Sequence, residues 1–260
     1  MKLSVGSWSF HSTFERGDID IFGYLESMRF RYNLETADIW NGMIESLETG
    51  YIERLKNALQ DRELTLVNLA IDGADVWDDD EVVREKKHQY ALEYLRVAET
   101  LGAKTVRIDM GPEFSEISEQ QFDFIANRYR EYAEIGYNSG FKVGPQNHKG
   151  PAMVPATNME VYKAVNHPGY GVLLDLERWV KDTDNGDEMF AEIAMHVHFH
   201  TPTIVNRLDE KTALLTRSNY QGYLSVEYRL GGNEYDEVAW ELETLKRAWK
   251  RQLSVSASLR

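Results

Sequence analysis

The stretch KKHQYALEYLRVAETLGAKTVRIDMG, residues 86–111, changes its hydrophobic period part-way along. In its first part Ala91, Tyr94, Leu95, Ala98 and Leu101 recur at helical spacing on one face, which predicts an amphipathic helix over 86–103. Gly102 supplies the stop, because glycine takes the left-handed cap conformation without a side-chain clash. AKTVRIDMG (103–111) then runs apolar for the length of one strand. The move repeats directly afterwards. QFDFIANRYREYAEIGYNSG (121–140) places Phe122, Ile125, Tyr129 and Tyr132 on one helical face and leads into FKVGPQN (141–147).

Working outward, the same short apolar runs occur as KLSVGSWSF (2–10), LETADIW (34–40), LTLVNLAID (64–72), YGVLLDLE (170–177), AMHVHFH (194–200) and YLSVEYR (223–229). With the two above they make eight strand candidates, spaced about 25 to 40 residues apart, which suits a parallel strand plus its return helix. Eight βα units with no linker between them predict one closed (β/α)8 barrel over residues 1–260, a single domain. A doubly wound open sheet is the alternative, weakened because no glycine-rich phosphate loop follows the first strand. WELETLKRAWKRQL (240–253) reads as a helix closing the barrel, its Trp240 and Trp249 available to the barrel or to a second copy in a homo-oligomer.

Composition narrows the partners. Of the 260 residues 42% are hydrophobic and six are Trp, enough for a sizeable core. A formal charge of −14 with scattered Lys and Arg argues against nucleic acid. No apolar run approaches the roughly 20 residues of a bilayer span, and MKLSVGSWSF lacks a signal-peptide pattern, so no membrane partner is expected. Cysteine is absent, which fits a reducing cytoplasm and leaves only N and O ligands for any metal.

In a barrel of this kind the active site lies at the C-terminal strand ends, so the polar residues closing each run carry the functional signal. The last four runs end in Gln146-Asn147-His148, in Asp175, in His196, His198 and His200, and in Glu227. Taken alone, Asp175 reads equally as a helix cap or a ligand, and a lone His is usually a hydrogen-bonded core residue. The three histidines, however, alternate along one strand and point to one side, which packing does not readily explain. Gln, Asp, His and Glu from four successive strands would converge at the mouth as a three-oxygen, one-nitrogen set suited to Mn²⁺, Mg²⁺, Co²⁺ or Zn²⁺.

At these strand ends the sequence resembles the xylose isomerase-like barrels, the sugar phosphate isomerase/epimerase group that includes ketose 3-epimerases, inosose dehydratase and endonuclease IV. The likeness covers nearly the whole chain. QNHKG resembles that family's Glu-Asn-His-x-Gly, LLDLE its Leu-Asp, HVHFH its His-x-His-x-Lys, and LSVEY its closing Ile-Glu. It implies Gln146, Asp175, His198 and Glu227 as ligands of one divalent ion, Mn²⁺ first among them. It also implies a substrate-facing acid at Asp38 and a substrate-binding Asn-Arg pair at Asn206 and Arg207. Trp8 and Phe10 would then wall a sugar ring or fill the barrel core.

Three departures shape the functional reading. Gln146 stands where the family has a ligand Glu, Arg178 where several epimerases keep a substrate-contacting His, and His200 where many members have Lys. Gln146 adds no charge to a metal and cannot accept a proton, which breaks the symmetry of an epimerase that works with a glutamate on each face. Glu227 then remains on one side, with His148, Lys149 and His200 on the other. His148 reads as a proton carrier or as a bracket for its loop.

The expected activity is a metal-dependent sugar or polyol isomerase or epimerase that abstracts a proton beside a carbonyl. A lyase or dehydratase using β-elimination is the alternative. A non-catalytic sugar-binding or partner subunit is the second. Endonuclease activity is disfavoured by the acidic charge.

Overall fold

Eight parallel strands alternate with helices along the chain: β1 (Leu3–Val5), β2 (Thr36–Trp40), β3 (Thr65–Ile71), β4 (Thr105–Ile108), β5 (Lys142–Gly144), β6 (Val172–Asp175), β7 (Ala194–Phe199) and β8 (Leu224–Val226). The helices are α1 (His11–Glu15), α2 (Ile21–Glu26), α3 (Thr49–Asp61), α4 (Glu81–Leu101), α5 (Glu119–Ser139), α6 (Pro155–Val165), α7 (Thr183–Phe190), α8 (Thr201–Asn206), α9 (Leu208–Arg217) and α10 (Glu234–Ser258). This computed structural model describes residues 2–258. Met1, Leu259 and Arg260 of the expected 1–260 domain lie outside the described residues. Among the described residues no helix is long and apolar enough to cross a membrane.

The strands form two four-stranded arcs, ordered β1-β8-β7-β6 and β2-β3-β4-β5. Single bridges close them into a barrel: Gly6 pairs with Asp38 on one side, and Val143 with Tyr170 and Gln146 with Leu173 on the other. Gly144 permits the second closure, since a Cβ there would stand 1.7 Å from the Gly171 carbonyl oxygen. At the first closure the Tyr24 hydroxyl donates to the Val5 carbonyl (2.7 Å) and accepts the Asp38 N–H (2.9 Å), stitching β1 to β2.

Strand alternation sorts the layers. Leu3 and Val5, Ala37 and Ile39, Val106 and Ile108, Val172 and Leu174, and Val197 and Phe199 belong to the apolar layer shared with the helices. Their neighbours Ser4, Asp38, Asn68, Arg107, Asp175, His196, His198 and Ser225 are buried polar groups. A barrel interior is normally filled by branched apolar side chains; here its upper layers are a hydrogen-bonded polar network.

The helices begin and end where local chemistry directs. Asp80 caps α4 by accepting the Val82 N–H (2.8 Å), so the helix begins at Glu81, five residues before the expected start, and Gly102 ends it at φ 70°. A reciprocal Ser118–Gln121 capping box opens α5. Trp249 of α10 packs against the core, whereas Trp240 is 48% exposed.

The first run is shorter than its sequence suggested. β1 stops at Val5, and Ser7–Phe10 forms a 3-10 turn, so Trp8 and Phe10 do not alternate on a strand. Serines redirect the chain: the Ser7 hydroxyl accepts the Trp40 N–H (2.8 Å) and that of Ser9 the Tyr228 N–H (3.0 Å). Phe10 is fully buried in the core, and Trp8 alone reaches the barrel mouth.

Candidate active site

Asp38 on β2 is the hub of the inner layer. Its Oδ2 lies 2.9 Å from Nε2 of both His196 and His198 and accepts the Ser225 hydroxyl at 2.6 Å, while Oδ1 accepts the Asn68 amide at 2.8 Å. Burial pushes this carboxyl up, but the two imidazoles outweigh it and hold Asp38 well below the usual range. His198 turns its other nitrogen to Glu227 (3.4 Å). Burial lowers its pKa, yet Glu227 and then Asp38 raise it to about 10, so His198 is an imidazolium at neutral pH. Burial keeps His196 low and neutral.

Above this layer, Asp175 and Glu227 stand at the ends of β6 and β8. Asp175 Oδ2 accepts from Gln146 Nε2 (2.9 Å), Arg229 Nη2 (2.6 Å) and Arg178 Nη1 (3.3 Å), and Oδ1 faces His200 Nδ1 at 3.4 Å. Asn147 fixes the same strand end by pairing with the Asp175 backbone in both directions (2.7 and 2.8 Å). Arg229 Nε donates to Glu227 Oε2 at 2.6 Å, and its Nη2 contacts the same oxygen. Burial raises Glu227, but His198 and Arg229 overcome it and bring its pKa to about 2.

A cavity of about 250 Å³ opens over these groups. Trp8 and Trp40, edge to face at 4.7 Å, form an apolar wall, and the Trp40 indole N–H donates to Asp72 at 2.7 Å. Arg107, Arg178 and Arg229 supply the positive lining, and Asp72, His148 and Glu227 the titratable one. Arg107 is paired with Asp72 and Asp109, both at 2.7 Å. His148 Nδ1 has no hydrogen-bond partner, and its Nε2 lies 3.6 Å from Asp109, whose charge favours the proton on that nitrogen. Burial lowers His148 despite Asp109, which leaves a neutral imidazole.

The expected site residues divide by place. Gln146, His148, Arg178, Glu227 and Trp8 line the cavity; Asp175 is outside the lining but bonded to the lining residues Gln146, Arg178 and Arg229, and His200 faces Asp175. Asp38 is only 2% exposed and saturated by four donors, so it faces the barrel interior and not a substrate. His198 is turned to Asp38, and the histidine beside Asp175 is His200. Lys149 pairs with Asp75 and approaches Asp109 (3.5 Å) outside the cavity lining. Arg207 is held by Glu177 (2.9 Å) and Asp184 (2.6 Å), with Asn206 exposed beside it. Sequence reasoning missed Trp40, Arg107 and Arg229. Trp40 and Arg229 each follow a singled-out acid, Asp38 and Glu227, by two residues, the spacing that keeps a face along an extended chain, whereas Arg107 had no such signal.

The family described as xylose isomerase-like TIM barrel matches residues 22–248. The chain belongs to this family. No curated protein matches the chain. Among solved structures, this xylose isomerase-like barrel is similar to the probable 3-DHS dehydratase AsbF of Bacillus anthracis (18% identity, 95% of this chain and 99% of that one, TM-score 0.71). It is also similar to D-psicose 3-epimerase of Clostridium cellulolyticum H10 (15% identity, 99% of both chains, TM-score 0.72). A third is the 3-keto-D-glucoside 4-epimerase YcjR of E. coli (14% identity, 95% and 99% covered, TM-score 0.75). At these identities the likeness is one of fold.

The donor chemistry at the mouth of this xylose isomerase-like barrel does not fit the expected metal set. Gln146 is neutral and hydrogen-bonded to Asp175, both carboxylates are engaged by Arg229, and both His198 nitrogens face acids. Among the described residues, the group whose ligand atoms lie within 4.8 Å of one another, close enough to hold a metal ion, is Asp38, His196 and His198.

Proposed function

We propose that this barrel is a carbohydrate enzyme of the isomerase or epimerase type, acting on a small sugar or polyol by taking a proton from the carbon beside a carbonyl. The observation that carries the reading is the mouth cavity, where a neutral His148 and the guanidinium groups of Arg178 and Arg229 share one space walled by Trp8 and Trp40. At about 250 Å³ it suits one sugar ring; drug-sized sites span roughly 300–1,000 Å³. The related folds of two epimerases and a dehydratase support the same class of chemistry.

Enolisation needs a base at carbon and positive charge at the carbonyl oxygen. His148 is the better base, because it is unprotonated at neutral pH, whereas a carboxylate with a pKa of about 2 such as Glu227 takes protons poorly. Glu227 instead positions Arg229. Asp38, His196 and His198 bring their ligand atoms close enough for a divalent ion, but His198 would first have to give up the proton it shares with Asp38 and Glu227; none of the three lines the cavity.

A second reading, β-elimination by a dehydratase, is favoured by Gln146, which leaves one face of the substrate without a carboxylate base. Incubation with a panel of ketoses, aldoses and keto-sugars in D₂O separates the readings by NMR. Deuterium should enter beside the carbonyl, with water loss if elimination follows, and His148→Ala should slow both by roughly 10² to 10⁴. Sugar binding without exchange across the panel would leave a non-catalytic binding protein.

A further inference from the structure

We infer that the Arg229 guanidinium takes the place of a divalent ion between Asp175 and Glu227, so that the mouth of this barrel is built to work without a metal there. One Nη2 atom contacts carboxylate oxygens from two strand ends, at 2.6 Å for Asp175 and closer still for Glu227, which is the bridging position a cation between those acids would hold. The charges close around it. Asp175 and Glu227 bring two negative charges, Arg229 and Arg178 two positive ones, and Gln146 none.

A divalent ion entering this set would leave two positive charges uncompensated beside two guanidinium groups, one of whose partner acids is fully buried. Arginine cannot yield by losing its proton. Gln146 and Arg229 thus act as a matched pair: one removes the third carboxylate and the other supplies the missing cation. The reading deepens the proposed function, on which it rests only in naming Arg229 as the group facing the substrate carbonyl. Its claim about ions stands apart from catalysis.

Chelator-treated protein titrated with Mn²⁺, followed by the EPR signal of the free ion and by thermal unfolding, tests it. No ion should bind through Asp175. Gln146→Glu alone should change the affinity by less than about 3-fold, because Arg229 remains, whereas Gln146→Glu with Arg229→Met should bind at least roughly 100-fold tighter and gain thermal stability from Mn²⁺. Wild-type binding that disappears in Asp175→Asn overturns the inference. Binding that survives Asp175→Asn and is lost in His196→Gln belongs to the inner cluster and supports it. Should the double variant not fold, the Asp175→Asn comparison decides alone. Failure of every sugar assay would remove the proposed function while leaving the ion result to stand.

Discussion

Arg229 Nη2 lies 2.6 Å from Asp175 Oδ2 and also contacts Glu227, so one guanidinium ties the end of β6 to the end of β8. Removing it takes the bridging cation from two carboxylates, one fully buried, and leaves Asp175 to Arg178 and Glu227 to His198. Arg229→Met should therefore lower stability at neutral pH by roughly 3–5 kcal/mol in urea unfolding. Both acids are held below their ordinary values, so the stabilisation is complete above the unfolded carboxylate range and is lost as pH falls towards the Glu227 value of about 2. The wild-type advantage should shrink accordingly in acid. An unchanged urea midpoint would show that the bridge contributes nothing.

His148→Ala should reduce turnover on the true substrate by roughly 10² to 10⁴, the range of a lost general base. Glu227→Gln keeps the shape and one hydrogen bond to Arg229, and should cost about 10-fold, or 1.4 kcal/mol. The opposite ranking in steady-state kinetics would return the base to Glu227.

The inner layer makes a separate prediction. His198 is raised to about 10 by Glu227 and Asp38 against its burial, so its imidazolium contributes stability that is fully present below the ordinary histidine value of 6.5 and lost as pH rises through about 10. NMR of the ring carbons should find His198 protonated at pH 8. Asp38→Asn leaves that buried charge with one partner and should destabilise the fold by roughly 3 kcal/mol or more. A His198 that titrates near 6.5 would contradict the network.

Glu241 of α10 is fully buried, and neither of its oxygens has a hydrogen-bond partner. Burial pushes it up to about 7, opposed by the nearby Thr201 hydroxyl and more weakly by His200 and Arg229, with Glu237 adding to the rise. Its contribution is complete below the ordinary glutamate value of 4.5 and disappears as pH rises through about 7. Glu241→Gln should accordingly raise the unfolding temperature at pH 8 by several degrees, consistent with about 2 kcal/mol, and leave it nearly unchanged at pH 5. Equal shifts at both values would assign the effect to packing alone.

The sequence by itself determined the barrel. Short apolar runs of strand length must be buried and helical stripes must cover them, and eight such pairs without a linker favour a closed barrel over an open doubly wound sheet; α4 and α5 run through the stripes at 86–103 and 121–140, α4 beginning five residues earlier. Alternation also marked His196 and His198 as inward-facing. Sequence spacing could not say which groups meet across the barrel. Asp38 meets histidines 158 and 160 residues away, and Arg229 meets Asp175 across 54, because closure turns side chains of the non-adjacent strands β2 and β7, and those at the ends of β6 and β8, into one shared interior. Electrostatics then settled what each group faces: Asp38 took both imidazoles, His200 the place beside Asp175 expected of His198, and Arg229 the space between two carboxylates, where a linear reading set a metal ion.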